Sequence, residues 1–248
     1  WKKQRKIFRF IKRLRFTHPD YPFFADLSIV KGTTEPHYSV QESRVMKEEV
    51  KYEIELEIDN HRVGIGREFH TVKDLATSLR KSIRIVLSAL QGSIYPISYL
   101  EQDTLLNEYL HLLYLKVSPQ VKIGGNLFLG PASKTLQIYN MMDSIVEGVP
   151  NIRKNYTVTD KADGERKLLF VSSKGGMYWI DVNMKVSYTG CHTNKQNLFN
   201  SLMDGEHVVY NKSKEFLHWF ICFDIYVIGN KNVCGLPFTR TEETENRD

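Results

Sequence analysis

Cysteine is scarce in this chain. Only Cys191, Cys222 and Cys234 occur among 248 residues, an odd number without metal-ligand spacing. That argues against a cysteine-built metal site and points to free thiols in a reducing compartment. Long apolar runs are also missing. None is long enough to span a bilayer, and no secretory leader is read, so no membrane association is expected. No internal repeat or low-complexity segment stands out. A strong charge excess is lacking as well. The net charge of +5 permits contact with nucleic acid but is too mild to argue for it. What is present, 42% hydrophobic and 25% charged residues, describes a globular chain with room for one large or two modest domains. A start at Trp1 in place of Met suggests a fragment.

The stretch Lys161-Ala162-Asp163-Gly164-Glu165-Arg166 is the centre of the reading. It lies between two β-type runs, Tyr156–Asp160 and Lys167–Ser173. A lysine at a strand end becomes a nucleophile once its amine loses its proton, and desolvation or neighbouring cations promote that loss. Arg166 offers a planar fork to phosphate or ribose oxygens. Alone, Lys-x-Asp-Gly equally describes a solvated hairpin turn. Two later stretches add to it. Met203-Asp204-Gly205-Glu206-His207-Val208 enters a strand over Glu206–Tyr210. Leu217–Ile228 is a long β-type run that contains Phe223-Asp224 and ends at the turn 229–232.

A second feature is Lys51–Asp59, where Glu53, Glu55 and Glu57 alternate with Tyr52, Ile54, Leu56 and Ile58. A strand puts the three carboxylates on one face. Such a row repels itself unless something cationic sits between, and a divalent ion is the natural partner. The other reading is an amphipathic edge strand with its glutamates in water. Upstream, residues 1–16 are basic and aromatic. As a strand they place Arg9, Arg13 and Arg15 on one face and Phe8, Phe10, Leu14 and Phe16 on the other, either as a wall toward phosphates or as a solvated arm. Phe23–Lys31 reads as the next strand, with Asp26 and Ser28 on one face.

Thr71-Val-Lys-Asp74 resembles a capping box that opens a helix, and Gly92 can end it. Leu75, Leu79, Ile83, Val86, Leu87 and Leu90 form its apolar stripe. A second helix is expected from about Tyr99 to Leu115. Both stripes read as core, flanking the first domain and leading to a junction near Lys116–Pro119. Pro131–Met141 is a short helix candidate. Within it, Lys134 or Thr135 either touches a base or serves as solvent lysine and helix cap.

The order K-x-D-G-x-R, D-G-E, F-D resembles covalent nucleotidyltransferases, the superfamily of DNA ligases, RNA ligases and mRNA capping guanylyltransferases. The resemblance covers about residues 118–240 through motifs I, III and IIIa. It implies Lys161 as the nucleophile and Asp163, Gly164, Arg166, Glu206, Phe223 and Asp224 around the nucleotide. In it Arg166 holds ribose or phosphate, Glu206 contacts the ribose, Phe223 stacks on guanine and Asp224 supports the pocket or a metal. Phe223 also reads as strand core. The later motifs, an E-G-x-h strand, a K-x-K strand and an OB-fold motif, do not occur before Asp248.

The Glu-x-Glu-x-Glu strand resembles the triphosphate tunnel metalloenzymes, which include the RNA triphosphatases of fungi and large DNA viruses. That implies Mg or Mn on Glu53, Glu55 and Glu57, and triphosphate contacts from Arg13, Arg15, Asp26 and Lys31. The first acidic strand of such a tunnel is absent. Together the halves resemble capping enzymes of pox-, asfar- and mimivirus kind. The implied fold class is α+β. Residues 1–117 would be the C-terminal part of an antiparallel β-tunnel with flanking helices. Residues 118–248 would be the N-terminal part of a nucleotidyltransferase antiparallel β domain. The implied substrates and partners are GTP, 5′-triphosphate RNA, a divalent metal, a cap methyltransferase and a viral RNA polymerase, in a viral factory or virion. A polynucleotide ligase adenylated on Lys161, or an inactive RNA- or polymerase-binding subunit, are the alternatives.

Overall fold

The computed structural model describes residues 4–113, 123–143, 147–154 and 156–238. The chain forms two compact units that part between Gly92 and Ser93. The junction expected at Lys116–Pro119 lies outside the described residues.

In the first unit, β1 (Arg9–His18) and β2 (Tyr21–Gly32) form a hairpin, and β3 (Lys51–Ile58) joins the far edge of β2. Both pairings are antiparallel, with Arg13 opposite Ser28 and Ser28 opposite Glu53. The register therefore puts the odd residues of β1 and β3 and the even residues of β2 on one face. A short helix α1 (Val40–Ser43), N-capped by Ser39, lies between β2 and β3. Then comes α2 (Val72–Gln91). The Thr71 hydroxyl accepts the Asp74 N–H at 3.0 Å, and Gly92 ends the helix at φ 63°, as its sequence leads one to expect. Residues Ser82, Ile85 and Val86 of α2 share a cleft with Phe23, Ala25 and Leu56 of the sheet.

The apolar stripe of α2 departs from expectation. Ser78, Ser82 and Gln91 are buried, while Leu79, Ile83 and Leu90 are exposed. One helix over a narrow sheet covers only part of a broad stripe. The sheet itself is open, with β1 and β3 as its edges, and three strands do not close a tunnel.

The second unit begins with α3 (Tyr99–Leu112), capped by the Ser98 hydroxyl. A six-stranded antiparallel sheet follows: β4 (Glu165–Val171), β5 (Gly176–Asp181), β6 (Val186–His192), β7 (Ser201–Tyr210), β8 (Phe216–Ile228) and β9 (Lys231–Asn232). Its order is β6-β5-β4-β7-β8-β9. Leu168, Phe170, Ile180, Leu202 and Val227 are fully buried, and Leu105, Tyr109 and Leu110 of α3 join their core. This corrects the expectation that α3 flanks the first domain. The Tyr109 hydroxyl donates to the Leu127 carbonyl at 2.8 Å and accepts the Leu129 N–H at 2.9 Å. A buried phenol needs such partners, and here they moor the segment that leads to Pro131.

Two local expectations fail. Residues 156–163 form no strand, because β5 and β7 already occupy both sides of β4. Tyr156 and Val158 are exposed instead. Residues 131–141 form only a single 3₁₀ turn at Ile138–Asn140 rather than a helix. Among the described residues, no helix is long and apolar enough to cross a membrane.

Candidate functional site

Pairing of β4 with β7 sets Arg166 directly across from Glu206. The Lys161–Gly164 loop enters β4 just before this pair. Gly164 lets the loop lie against β7, since a Cβ there would sit 2.4 Å from the His207 carbonyl oxygen. Its N–H donates to Glu206 Oε1 at 3.1 Å, so Glu206 pins the loop that carries Lys161. A cleft of about 640 Å³ opens there. Residues 157–162 form one wall, Ile221, Cys222 and Phe223 the other, and Glu206 and Phe238 complete the lining.

Lys161 reaches into this cleft with 87% of its side chain exposed, and its nearest charged partner is Asp163 Oδ1 at 3.5 Å. At that exposure the amine lacks the desolvation that favours a nucleophilic lysine. The loop stands outside the sheet, so nothing covers the amine. Phe223 is 41% exposed and lines the cleft, which decides against core packing. Asp224 is turned back onto its own strand and accepts the Ile225 N–H at 2.8 Å.

Arg166 has a different setting from the expected free fork. Its Nε and Nη2 donate to the two oxygens of Asp204 at 3.1 and 2.5 Å, and its Nη1 donates to the Pro131 carbonyl at 2.8 Å. Asp204 is fully buried and also accepts the Tyr226 hydroxyl at 2.6 Å. The hydrogen bond to Asp204 raises the Arg166 pKa; burial, then Asp204, raises that of Tyr226. The Arg166 guanidinium also lies 5.6 Å from the Phe128 ring centre and 6.0 Å from that of Phe223. Gly130, at φ 147°, makes room for it, because a Cβ would meet Arg166 Nη2 at 2.3 Å. Sequence reasoning passed over Asp204, Tyr226 and Phe128. A signal existed only for Asp204, which stands two residues before Glu206 and so shares its strand face.

The other face of this sheet holds a separate cluster. Lys167 Nζ is 3.0 Å from His207 Nδ1, and His207 Nε2 is 3.1 Å from His218 Nδ1. Trp179 stacks on His207 at 5.0 Å. Burial, with Lys167 next in weight, lowers the His207 pKa to about 4.

In the first unit, the register gathers Arg9, Arg13, Arg15, Asp26, Ser28, Glu53, Glu55 and Glu57 on one face. Arg13 donates to Ser28 Oγ at 3.0 Å, to Asp26 at 3.2 Å and to Glu55 at 2.7 Å. Arg15 takes both oxygens of Asp26 at 2.7 Å and also pairs with Glu57. Arg9 pairs with Glu53. Asp26 is buried beneath them, and the Arg15 hydrogen bond lowers its pKa. The cationic partner that three aligned carboxylates require is therefore a row of arginines. Among the described residues, no group of three or more His, Cys, Asp or Glu is placed to hold a metal ion. Thus Glu53, Glu55 and Glu57 do not fit a metal site as arranged. Lys31 does not join this face. It lies opposite Phe10 on the other side of the sheet and donates to the Met46 carbonyl at 2.6 Å. Lys134 and Thr135 line a second cleft, separate from that of Lys161.

Residues 151–244 match the family described as mRNA capping enzyme, catalytic domain. The chain is also 30% identical over 157 residues to the probable mRNA-capping enzyme of Acanthamoeba polyphaga mimivirus. That alignment covers 63% of this chain and 11% of the relative, so the chain spans a small part of that protein's length. The matched residues 151–244 include the Lys161 loop and the strands β4 to β9 that follow it, so over this stretch the chain is similar to the catalytic domain of mRNA capping enzymes.

Proposed function

We propose that the second unit transfers GMP from GTP to the diphosphate 5′ end of RNA through a covalent adduct on Lys161. The observation that carries this is the meeting of Lys161, Glu206 and Phe223 around one open cleft. The ammonium of Lys161 first gives up a proton, and Asp163 is the nearest carboxylate to receive it. The amine then attacks the α-phosphorus of GTP. A P–N bond forms, the bond to the β-phosphate bridge breaks, and pyrophosphate leaves with the electron pair. In the second step a β-phosphate oxygen of the RNA attacks the same phosphorus, the P–N bond breaks and the amine is restored.

The protein's part is positioning. Glu206 holds the loop through the Gly164 N–H, which fixes where the amine can go. Three donations to Asp204 and Pro131 orient Arg166 and leave one N–H on each terminal nitrogen for ribose or phosphate oxygens. The exposed Phe223 ring offers guanine a stacking surface.

In the same assignment the first unit removes the γ-phosphate from 5′-triphosphate RNA. Its charged face supports this: Arg13 and Arg15 are braced by buried Asp26 and point their guanidinium groups along one row. An entering triphosphate competes with Glu55 and Glu57 for these groups, exchanging one charge-assisted partner for another. No step is routed through a metal. A cap methyltransferase and a viral RNA polymerase are the partners such a chain would serve.

The test is incubation of full-length protein with α-labelled GTP or ATP, side by side with a divalent metal in the buffer. GTP should label the protein in an acid-labile, alkali-stable bond, as a phosphoramidate does. Labelling by ATP alone would move the assignment to a polynucleotide ligase.

A further inference from the structure

A second cleft, of about 1030 Å³, lies between residues 131–140 and residues 148–152 of the second unit, with Tyr156 also in its lining. Its walls are stapled together. The Ile152 N–H donates to the Asn140 carbonyl at 2.9 Å, and Asn140 Nδ2 donates to the Pro150 carbonyl at 2.7 Å. Asn151, buried, donates from Nδ2 to the Met142 carbonyl at 2.8 Å. The cleft is thus formed in advance of any ligand. Two tyrosines line it, Tyr139 at 53% and Tyr156 at 57% exposure, over the apolar side chains of Leu136 and Ile152. Lys134 and the Thr135 hydroxyl supply a cation and a hydrogen-bonding group on the same lining.

Half-exposed aromatic rings beside a lysine are the combination that holds a single-stranded nucleotide: the base stacks on a ring and the phosphate meets the cation. The place of this cleft in the fold narrows the ligand further. Tyr156 is followed directly by Thr157, the first residue of the Lys161 cleft wall. At the other end Pro131, also part of the lining, accepts the Arg166 Nη1 donation. The second cleft therefore adjoins the first along the chain and through Arg166. A nucleotide bound to Lys161 must be met by the acceptor whose phosphate oxygen displaces the lysine.

We infer that this second cleft is the acceptor subsite, and that it takes the 5′-terminal nucleotide of a diphosphate RNA by stacking on Tyr139 and Tyr156. This rests on the guanylyltransferase assignment above, and the two fail in different experiments.

The experiment separates the half-reactions in the full-length protein. Lysyl-GMP formation is measured first, with GTP alone. Transfer is then measured from the isolated adduct to a short 5′-diphosphate oligoribonucleotide, together with direct binding of that oligonucleotide. Tyr139→Ala and Tyr156→Ala should form the adduct at the wild-type rate, which also reports that they fold. They should bind the oligonucleotide on the order of tenfold more weakly and raise its KM by a similar factor. Tyr139→Phe and Tyr156→Phe, which keep the ring, should retain binding. Transfer and binding unchanged in the alanine variants would overturn the subsite. Slowed adduct formation with unchanged transfer would also overturn it, since the cleft would then belong to GTP. Absence of any adduct in the wild-type protein would instead overturn the guanylyltransferase assignment itself.

Discussion

The two units handle charge in opposite ways. On the first, every arginine of the polar face has a carboxylate: Arg9 meets Glu53, Arg13 meets Asp26 and Glu55, and Arg15 meets Asp26 and Glu57. On the second, the side chain of Lys161 is exposed and its ion pair with Asp163 spans 3.5 Å. The difference follows from the backbone. Three paired strands bring charges of opposite sign into lateral rows, where each neutralises the next. A loop outside a sheet has no lateral neighbour, so its cation stays available. A ligand of the first unit has to displace an internal partner, whereas a ligand of the second only has to arrive.

The largest effect should come from changing the exposed cation of the second unit. Lys161→Arg keeps the charge but should abolish labelling by α-labelled GTP, because a guanidinium stays protonated and cannot attack. Undiminished labelling would refute Lys161 as the nucleophile. The matching change in the first unit is Arg15→Ala, which removes one of the guanidinium groups proposed to hold the triphosphate. It should abolish γ-phosphate release from triphosphate RNA while leaving adduct formation nearly intact, and retained release would sink the triphosphatase assignment.

A smaller but measurable effect is expected from Arg166→Ala. Among the described residues it leaves buried Asp204 with the Tyr226 hydroxyl as its hydrogen-bond donor, which should cost about 3 kcal/mol in urea unfolding. It should also weaken the adduct. A loss of stability well under 1 kcal/mol would mean that Asp204 does not depend on Arg166.

Acid should then separate the two units. His207 binds a proton only near pH 4 when folded but near its ordinary value of 6.5 when unfolded. Between these values the unfolded chain holds more protons, so this contribution is present above pH 6.5 and is lost as pH falls toward 4. Asp26 is depressed below its ordinary 3.8, so its contribution is lost only below that value. Melting followed from pH 7 to 5 should weaken the second unit before the first, and His207→Gln should flatten that dependence. A first unit that weakens equally over this range would contradict the assignment to His207. The smallest effect belongs to Lys31→Ala. On the reverse face with one carbonyl partner, it should change stability by no more than about 1 kcal/mol and leave phosphate release unaltered.

Strand alternation made much of the first unit legible. It predicted that Arg9, Arg13 and Arg15 share a side, that Glu53, Glu55 and Glu57 share a side, and that Asp26 and Ser28 do too. It could not say which strand lies between which. Only the order β1-β2-β3 showed that the arginines of β1 pair with the glutamates of β3. The failed strand at Tyr156–Asp160 has the same origin. Its residues suit a strand, but a strand needs a free edge, and β4 has none.

By itself the sequence determined the elements and the chemistry they carry: the Thr71 and Gly92 caps, the alternating strands, the lysine loop and its order relative to Glu206 and Phe223. These depend on neighbours a few residues apart, within reach of local periodicity and capping. Tertiary structure alone decided which groups are available. It engaged Arg166 with Asp204, 38 residues away, left Phe223 facing a cleft rather than the core, and turned Lys31 from the face its neighbours share. The physical reason is register. One residue of shift in a β-pairing exchanges a buried partner for solvent, and register is set by the packing of whole sheets rather than by any short stretch of chain.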